Sequence, residues 1–428
     1  MPESSLLSCR PVDEIALPVS GSVDITLFRP IIDSPEFQKL GYRDQLGFAR
    51  TTFRGATHTR LCHSLGTGEL TKRRIRKLVE WGYITQAEAL AVWLYGFDHD
   101  TGHGPGCHVT DPLVKVGHDE RAIAIFSRMR GLIEACGVDY DLFMDIAARK
   151  NPLSQIVSHT PLGTDKLDYM ARDAHYSGIK GMLDLDIFMN HVYFLDGRLA
   201  ADAKIVNYVD QLAEFYRLLY AEIYFKTSVM LTERYVQRMI GTLLGVGEYP
   251  AVLTEDELVE MTDGELEYTL SHAKDPVIRA QYARVITRTQ PRPAVVFVRY
   301  PENYWAGSFP MKYVEAPMSL FNHKDLRKPA ELYGIERKIE ESLGMPKFSI
   351  LVAPPVPWRR FMPPEVDFIV DGGQFRTFRD LRSDEYDAQI KAAEHFAALY
   401  VATDMENCAS LNDPGVVGRI SEIVMRYA

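Results

Sequence analysis

Paired cysteines are missing from this sequence. Its five cysteines are scattered over 428 residues, and no two of them form a CxxC pair. An odd, unpatterned set does not suggest a disulfide framework and is typical of reduced thiols in a cytosolic protein. We therefore expect a cytoplasmic location.

Long apolar runs are missing as well. No segment reaches the ~18 uncharged apolar residues that a membrane-spanning helix needs. Residues 1–12 also lack the basic and then apolar pattern of a signal peptide. Both absences agree with a cytoplasmic protein, and they predict no membrane partner.

Positive charge is in the minority. The chain has 48 Lys and Arg against 58 Asp and Glu, a formal net charge of −10. Because a nucleic-acid coat needs a basic surface to bind phosphates, a nucleic-acid partner is not expected. A small anionic substrate is still allowed, since Arg and Lys clustered inside a cleft can hold a triphosphate on an acidic protein.

Helical periodicity dominates the first two thirds of the chain. Residues 1–45 form a lead-in segment, and alternation in residues 23–27 predicts a short strand or hairpin there. Residues 46–288 are expected to form the core domain, and the chain is expected to be all α up to about residue 285. Long helices are predicted over 66–81, 86–97, 120–135 and 205–244.

The pattern changes near residue 289. Apolar, β-branched runs at 294–300, 348–352 and 366–370 predict strands, and a final helix is predicted over 383–403. We therefore predict a mainly α fold, with a helical core followed by a smaller mixed α/β region at 289–428. This region carries no motif with a chemical meaning, so we assign it to regulation or oligomerisation.

The chemical interest begins at residues 97–108, FDHDTGHGPGCH, where an apolar helix ends. An ionised Asp at the end of such a helix is costly without a partner, and a metal ion is the simplest partner. His63 lies upstream of His99 and Asp100, and Asp165 lies downstream. Two imidazoles and two carboxylates suit Mn, Fe, Co, Ni or Zn. The alternative is a capping Asp beside a surface His.

The order His, His-Asp, Asp resembles the metal-ligand order of the HD-domain phosphohydrolases. Segments 31–40, 45–47, 55–60 and 63–66 are similar to the deoxynucleoside triphosphate triphosphohydrolases within that superfamily, and residues 163–173, GTDKLDYMARD, form a second long match. A weaker match runs from residue 262 to 288. The resemblance implies an HD-domain helical core, metal ligands at His63, His99, Asp100 and Asp165, and a homo-oligomer (a dimer or a tetramer).

The implied reaction is hydrolysis of a deoxynucleoside triphosphate to deoxynucleoside and tripolyphosphate, with Mg as an option on the triphosphate. The leaving 5′-oxygen needs a proton, and a histidine held by a carboxylate is suited to give it near neutral pH. His108, oriented by Asp111, is the candidate acid. His103 is a candidate for the α-phosphate, and His118 with Asp119 completes the proton network. The alternative is that the three histidines are structural.

The resemblance also implies substrate-binding residues. Arg60, Lys166 and Tyr169 match phosphate-binding positions, although Lys166 would also suit a solvated helix face. Asp173 matches the residue that holds the sugar 3′-hydroxyl. Gln45 is a further match. Leu46 and Tyr224 match a steric gate that leaves no room for a 2′-hydroxyl. Both of these residues would also suit a helix core.

Two places depart from the family. Tyr216 and Tyr220 stand where Arg and His contact the phosphates and sugar, and Phe225 replaces a Gln. Arg217 and Lys226 are candidates to compensate. A different nucleotide, cleaved by an HD-type nucleotidase or phosphodiesterase, is therefore one alternative, and a non-catalytic nucleotide- or nucleic-acid-binding regulator is another.

An allosteric nucleotide is a further partner that the resemblance implies. Family members bind a guanine nucleotide through an Asp, a Gln and an Arg near the N-terminus. Asp33 and Gln38 are present, but Gly41 occupies the Arg position. We expect nucleotide activation to be lost or altered.

Overall fold

A computed structural model describes residues 13–181, 183–247, 249–303 and 311–428. The stretch predicted to lack a signal pattern, residues 1–12 with Cys9, lies outside the described residues. The fold is mainly α with a mixed α/β region, as predicted. No helix in the described ranges is both long and apolar enough to span a bilayer.

The described chain begins with the predicted hairpin. Strands β1 (Glu14–Leu17) and β2 (Gly21–Asp24) pair antiparallel, and Gly21 supplies the positive φ of +77° at the turn. The strand is shorter than the alternation over 23–27 predicted. It ends at Asp24, whose carboxylate accepts a hydrogen bond from the amide of Thr26 at 3.0 Å and forms a turn.

The largest core is built from residues between 23 and 229 together with Val366, Phe368 and Phe378 of the C-terminal region. In it the Phe28 ring contacts the rings of Trp93 and Phe97 edge to face. The predicted helix over 120–135 is divided at Met129. The stretch predicted over 205–244, as one helix or two end to end, forms two helices separated by a π-helical turn, Tyr220–Tyr224. The helices of six or more residues are α1 (Arg60–Glu80), α2 (Gln86–Asp98), α3 (His118–Arg128), α4 (Arg130–Ala135), α5 (Tyr140–Ala147), α6 (Thr164–Ser177), α7 (Leu185–His191), α8 (Val206–Leu219), α9 (Thr227–Leu243), α10 (Glu255–Glu260), α11 (Asp263–Ser271), α12 (Pro276–Thr287), α13 (Pro329–Leu343), α14 (Ser383–Glu394) and α15 (Pro414–Val424).

The prediction of an all-α stretch up to about residue 285 is wrong. Strands β3 (Val192–Leu195) and β4 (Arg198–Asp202) form a hairpin in the middle of the helices. The turn between them contains Asp196 and Gly197, both with positive φ. Strand β4 then pairs in parallel with β8 (Asp367–Val370) of the C-terminal region, so one sheet is built from both parts of the chain.

The second sheet belongs to the C-terminal region. The final helix predicted over 383–403 ends at Glu394. The mostly buried residues Ala398–Thr403, which include the β-branched Val401 and Thr403, form the inner strand β10 instead. The two sheets have the orders β6-β5-β10-β7 and β3-β4-β8-β9. The remaining strands are β5 (Arg292–Val298), β6 (Lys312–Glu315), β7 (Ile350–Val352), β8 (Asp367–Val370) and β9 (Gln374–Thr377).

A buried ionic cluster joins the C-terminal region to α9. Glu336 on α13 accepts a hydrogen bond from Arg234 at 2.9 Å, and Arg238 lies 3.5 Å from its other oxygen. Glu336 also accepts the backbone amide of Val352 at 3.0 Å. Since a buried charge without partners is strongly destabilising, these contacts hold the C-terminal region in one position against the helices.

Candidate functional site

Three helices bring three distant side chains together. His63 lies in the first turn of α1, His99 ends α2, and Asp165 lies in the first turn of α6. The Nε2 atoms of the two histidines are 3.3 Å apart, and Asp165 Oδ1 lies 3.3 Å from the first and 3.7 Å from the second. Donor atoms that converge in this way from three elements can ligate one ion.

Asp100 lies at the same cluster. Its Oδ1 is 3.6 Å from Nε2 of His99, and its Oδ2 is 3.7 Å from Nε2 of His63. Arg60 forms a buried ion pair with this carboxylate, and the Nε2 of His103 lies 3.3 Å from it. Burial would raise the pKa of Asp100, but Arg60 and His99 outweigh burial and keep the pKa well below its usual range.

The donor set fits a divalent transition metal. Burial would lower the pKa of His63, but hydrogen bonds with Asp165 and Asp168 outweigh it and raise that pKa to about 10. This cluster therefore stabilises added positive charge, which is what a metal ion supplies. His63, His99, Asp100 and Asp165 would hold the ion through two nitrogens and two carboxylates.

The orientation of His63 is set by a residue the sequence analysis did not single out. Its Nδ1 lies 2.9 Å from Oδ2 of Asp168, so Nε2 is directed to the cluster. Arg172 donates to both oxygens of Asp168, at 2.9 and 2.8 Å. Gly66 permits this approach, because a Cβ there would collide with both side chains. The i+3 spacing of Asp165 and Asp168 on α6 was the available signal.

The segment from His103 to His118, here called the histidine loop, forms a second cluster. Asp111 accepts from His118 Nδ1 at 2.7 Å and lies 3.5 Å from His108 Nδ1, so His118 is its closer partner. Arg121 donates to the other oxygen at 3.1 Å. Burial would raise the pKa of Asp111, but its hydrogen bonds with His108 and His118 outweigh burial and keep the pKa well below its usual range.

The second cluster suits proton transfer better than a second metal. His103, Asp111 and His118 could geometrically surround an ion. However, Arg121 already neutralises Asp111, and the His103 ring is stacked on His118 at 3.9 Å. Burial first, and then Arg60, lower the pKa of His103 well below its usual range, so this imidazole is neutral.

A cavity of about 740 Å³ joins both clusters, a size within the range of small-molecule sites. Of the residues predicted as metal ligands, as members of the proton network or as direct matches to the family's substrate-binding positions, only Asp111 does not line it. Asp111 contacts His118, which does. The predicted residues that line it are Gln45, Leu46, Arg60, His63, His99, Asp100, His103, His108, His118, Asp119, Lys166, Asp165, Tyr169, Asp173, Tyr220 and Tyr224.

Polar groups suited to phosphate lie on one wall of this cavity. Lys166 Nζ is 2.8 Å from Oδ2 of Asp165 and 5.3 Å from the centre of the Tyr169 ring. The lysine therefore faces the site and does not lie on a solvated helix face. The hydroxyl of Tyr169 is buried and has no hydrogen-bond partner among the described residues, so it can donate to a ligand oxygen.

A second group of side chains lines a part of the cavity that suits a sugar. Tyr224 donates a 2.5 Å hydrogen bond to Asp173, and the Nε2 of His58 lies 2.8 Å from the other oxygen of that carboxylate. The side chain of Leu46 is 8% exposed and lines the same cavity, while the amide oxygen of Gln45 is buried without a partner in the described ranges. Tyr224 and Leu46 are therefore cavity-lining as well as core residues.

The weak match at residues 262–288 has a structural role. Asp263, at the start of α11, accepts the amide of Gly106 and the amide of Asp44, both at 2.7 Å. Gly106 has φ +64° and belongs to the histidine loop. Asp263 thus ties that loop to the segment that carries Gln45 and Leu46.

Several predicted residues do not reach the cavity. Arg217 donates to Gln389 at 3.0 Å, and Lys226 pairs with Glu222 at 3.2 Å, so neither compensates for the missing Arg. Asp33 and Gln38 are exposed on the lead-in segment and also lie outside the cavity. Cations and acids that the sequence analysis missed line it instead: Arg149, Glu233, Arg327 and Arg360.

Known proteins are similar to this chain in sequence. No family model matches the chain. The deoxynucleoside triphosphate triphosphohydrolase SAMHD1 of Homo sapiens is 29% identical over 307 residues, covering 60% of this chain and 47% of the human protein. The putative HD domain-containing protein L394 of Acanthamoeba polyphaga mimivirus is 24% identical over 293 residues, covering 60% of this chain and 64% of the viral protein. The chain spans about half the length of the human relative.

A solved structure shares this fold. The crystal structure of a phosphohydrolase from Bacteroides thetaiotaomicron superposes with a TM-score of 0.69 at 21% identity, covering 92% of this chain and all of that one. The relatives, this fold and the convergence of His63, His99, Asp100 and Asp165 point to one conclusion. The chain is similar to proteins of the HD-domain phosphohydrolase superfamily, among them the deoxynucleoside triphosphate triphosphohydrolases.

Proposed function

We propose that the chain is a metal-dependent phosphohydrolase that cleaves deoxynucleoside triphosphates to deoxynucleoside and tripolyphosphate. The observation that carries the proposal is one cavity shared by three groups. They are the metal-type cluster (His63, His99, Asp100 and Asp165), the histidine loop and the Asp173–Tyr224 pair. One ligand with a phosphate chain and a sugar would contact all three. The similarity to SAMHD1 supports the same substrate class.

Each group has a role in this reaction. A divalent metal would activate water and neutralise charge on the phosphoryl oxygens. Lys166 and Tyr169 bind phosphate oxygens, Asp173 accepts the sugar 3′-hydroxyl, and Leu46 leaves no room for a 2′-hydroxyl. Water attacks the α-phosphorus, and the bond from that phosphorus to the 5′-oxygen breaks.

The proton for the leaving oxygen comes from the second cluster. His108 is the exposed member, with 74% of its side chain accessible, and His118 is the member bound closely by Asp111. His108 is our assigned acid, and His118 with Asp119 returns the proton from solvent. His103 is neutral and can donate one N–H bond to the α-phosphate.

The cofactor is one of Mn, Fe, Co, Ni or Zn, with Mg as an option on the triphosphate. We also propose that the chain assembles as a dimer or tetramer, in keeping with the resemblance. An allosteric nucleotide is proposed to act weakly or not at all, because Gly41 replaces the expected Arg. A turnover assay with and without GTP tests the last point, and strong stimulation would contradict it.

The decisive experiment identifies the product. Purified protein is loaded with each metal, incubated with each dNTP and each NTP, and the phosphate products are separated by ion chromatography. We expect tripolyphosphate and deoxynucleoside in equal amounts. Pyrophosphate or monophosphate in place of tripolyphosphate would sink the proposal. Asp165→Ala serves as the inactive control.

A second candidate function has one observation in its favour. The rings of Tyr216 and Tyr220 pack at a tilt, 4.3 Å between centres, where a phosphate-binding Arg and a His were expected, so this stretch of the chain contributes no cation to the wall. A nucleotide with fewer phosphates, cleaved by a nucleotidase or phosphodiesterase activity, would suit such a wall. Tyr220→His should then shift the substrate range toward triphosphates, which the same product assay measures.

A non-catalytic regulator is the remaining alternative from the sequence. The acidic net charge argues against nucleic-acid binding. Salt-dependent binding of single-stranded nucleic acid, without turnover of any nucleotide, would favour it over both enzymatic proposals.

A further inference from the structure

The cations of the cavity differ in whether they have acidic partners. Arg60 is paired with Asp100, Lys166 with Asp165, and Arg149 with Asp119 at 3.2 Å. These charges are already balanced by carboxylates inside or beside the metal-type cluster. A polyphosphate chain, with several negative charges, needs additional cations in reach.

Arg360 is a cation of a different kind. It lines the main cavity and also a smaller neighbouring one of about 460 Å³, in which Tyr216 lies. Its guanidinium interacts electrostatically with the hydroxyls of Tyr220, Tyr216 and Tyr169, and no carboxylate of the described residues is among its partners. The side chain is exposed, which places it at the opening of the cavity.

The position of Arg360 is held by buried aromatic rings on both sides. It lies in the single turn Trp358–Phe361 of the C-terminal region. Trp358 donates its indole N–H to Asn322 at 3.1 Å, and Phe361 stacks on Phe396 at 3.8 Å. Such anchoring limits the conformational freedom that Arg360 loses when it binds a ligand.

The unusual residues of the long helix contact this same turn. Phe225 lies 6.0 Å from Phe361, ring centre to ring centre, and Tyr220 lies 6.5 Å from it. Tyr216 packs on Tyr220 and faces Arg360. The aromatic residues that replace polar ones in the helix therefore pack against the same turn that carries Arg360.

We infer that Arg360, delivered by the C-terminal region, binds the outer phosphates of the substrate in place of a helix-borne arginine. The inference rests on the proposed function for its substrate. It assigns the C-terminal region a direct part in the site. Arg360 is a binding residue here, and the bond-breaking chemistry stays with the metal-type cluster and the histidine loop.

Binding of inorganic tripolyphosphate tests the assignment without requiring turnover. Isothermal titration calorimetry compares metal-loaded wild type with Arg360→Ala, Arg360→Lys and the control Arg359→Ala. Arg359 belongs to the same turn but lies over the Trp358 ring and does not line the main cavity. We expect Arg360→Ala to weaken binding about 10- to 100-fold, as for the loss of charge-assisted hydrogen bonds. Arg360→Lys should keep part of the affinity, and Arg359→Ala nearly all of it.

Two outcomes would overturn the inference. One is equal affinity of the Arg360→Ala and Arg359→Ala variants, and the other is no binding of tripolyphosphate by any variant. Unfolding temperatures and metal content measured on each variant separate a binding defect from a folding defect. If tripolyphosphate binds through Arg360 but no dNTP is cleaved, the proposed function fails and the phosphate site stands. If dNTPs are cleaved and Arg360 has no effect, only this inference fails.

Discussion

The Nδ1 atom of His63 lies 2.9 Å from Oδ2 of Asp168, and both side chains are almost fully buried. This contact determines which imidazole nitrogen faces the cluster. It also raises the basicity of that nitrogen as a ligand. The local order of the site therefore depends on a carboxylate that would not itself touch the metal.

Replacing Asp168 with Asn tests this dependence. We expect metal affinity to fall about 10- to 100-fold, because the amide does not hold His63 as a carboxylate does. Metal content after dialysis at defined free-metal concentrations is the measurement. Asp186→Asn, which removes an exposed partner of Arg73, is the matched control and should retain the metal. An unchanged affinity in Asp168→Asn would contradict the role.

Loss of a direct ligand should have a larger effect. We expect His99→Ala and Asp165→Ala to lose bound metal and all turnover, whereas His272→Ala, an exposed histidine stacked on Tyr268, changes neither. A chelator should lower the unfolding temperature of wild type, because a ligand that binds only the folded state stabilises it. The same chelator should leave Asp165→Ala unaffected. A normal metal content in Asp165→Ala would exclude this cluster as the metal site.

A change in the histidine loop is expected to lower the turnover rate without lowering the metal content. Asp111→Asn removes the negative charge that faces His118 and His108, so we expect kcat to fall about 100-fold, within the usual range for proton transfer. KM and metal content should stay near the wild-type values. His108→Gln and His118→Gln, measured beside it, identify which imidazole gives the proton. Full activity in Asp111→Asn would show that the loop histidines are structural.

Sugar selection is expected to depend on Leu46. Leu46→Ala opens space beside Tyr224, so turnover of ribonucleoside triphosphates relative to deoxynucleoside triphosphates should rise about 10-fold. The ratio of kcat/KM values for paired substrates is the measurement. Leu61→Ala, a partly buried leucine outside the cavity, is the control. No change in the ratio would remove Leu46 from the steric gate.

Glu233 predicts a pH dependence of stability. Burial alone raises the pKa of this carboxyl to about 8, since no ion pair or hydrogen bond of the described residues supports its charge. An acid whose pKa is higher in the folded state binds its proton more tightly there. The free energy of unfolding therefore decreases as the pH rises from the unfolded pKa near 4.5 to about 8. The loss amounts to a few kcal/mol at most, on the scale of ~1.4 kcal/mol for each pKa unit.

Glu233→Gln removes this titration. The unfolding temperature of the variant should exceed that of wild type by more at pH 8.5 than at pH 5. Glu222→Gln, an exposed glutamate paired with Lys226, should show no such difference. Parallel pH profiles for wild type and Glu233→Gln would contradict the raised pKa.

Local sequence was enough to predict helix α2 and most of helix α1 at the site. The capping boxes at Thr254 and Thr262 form as the Thr and Glu spacing indicates. Helix α2 follows from its apolar residues and ends at His99, where the polar loop begins. Patterns of this kind depend on residues within one or two turns, so they can be recognised without the fold.

Long-range pairing could not be predicted in the same way. The hairpin Val192–Leu195 with Arg198–Asp202 was missed, because short apolar runs are equally compatible with a buried helix. Its parallel pairing with β8 joins residues 167 positions apart, such as Ala200 and Asp367, and β10 was predicted as the end of a helix. Such strands are stabilised by their neighbours rather than by their own composition.

The sequence by itself determined the helical class of the protein and the set of histidines and aspartates to look for, because those residues stand in short motifs. Only the tertiary structure decided that Asp111 is closer to His118 than to His108, that Asp168 orients His63, and that Arg360 reaches the cavity. Each of these depends on the packing of elements far apart in the chain, and side-chain burial and distance are properties of that packing alone.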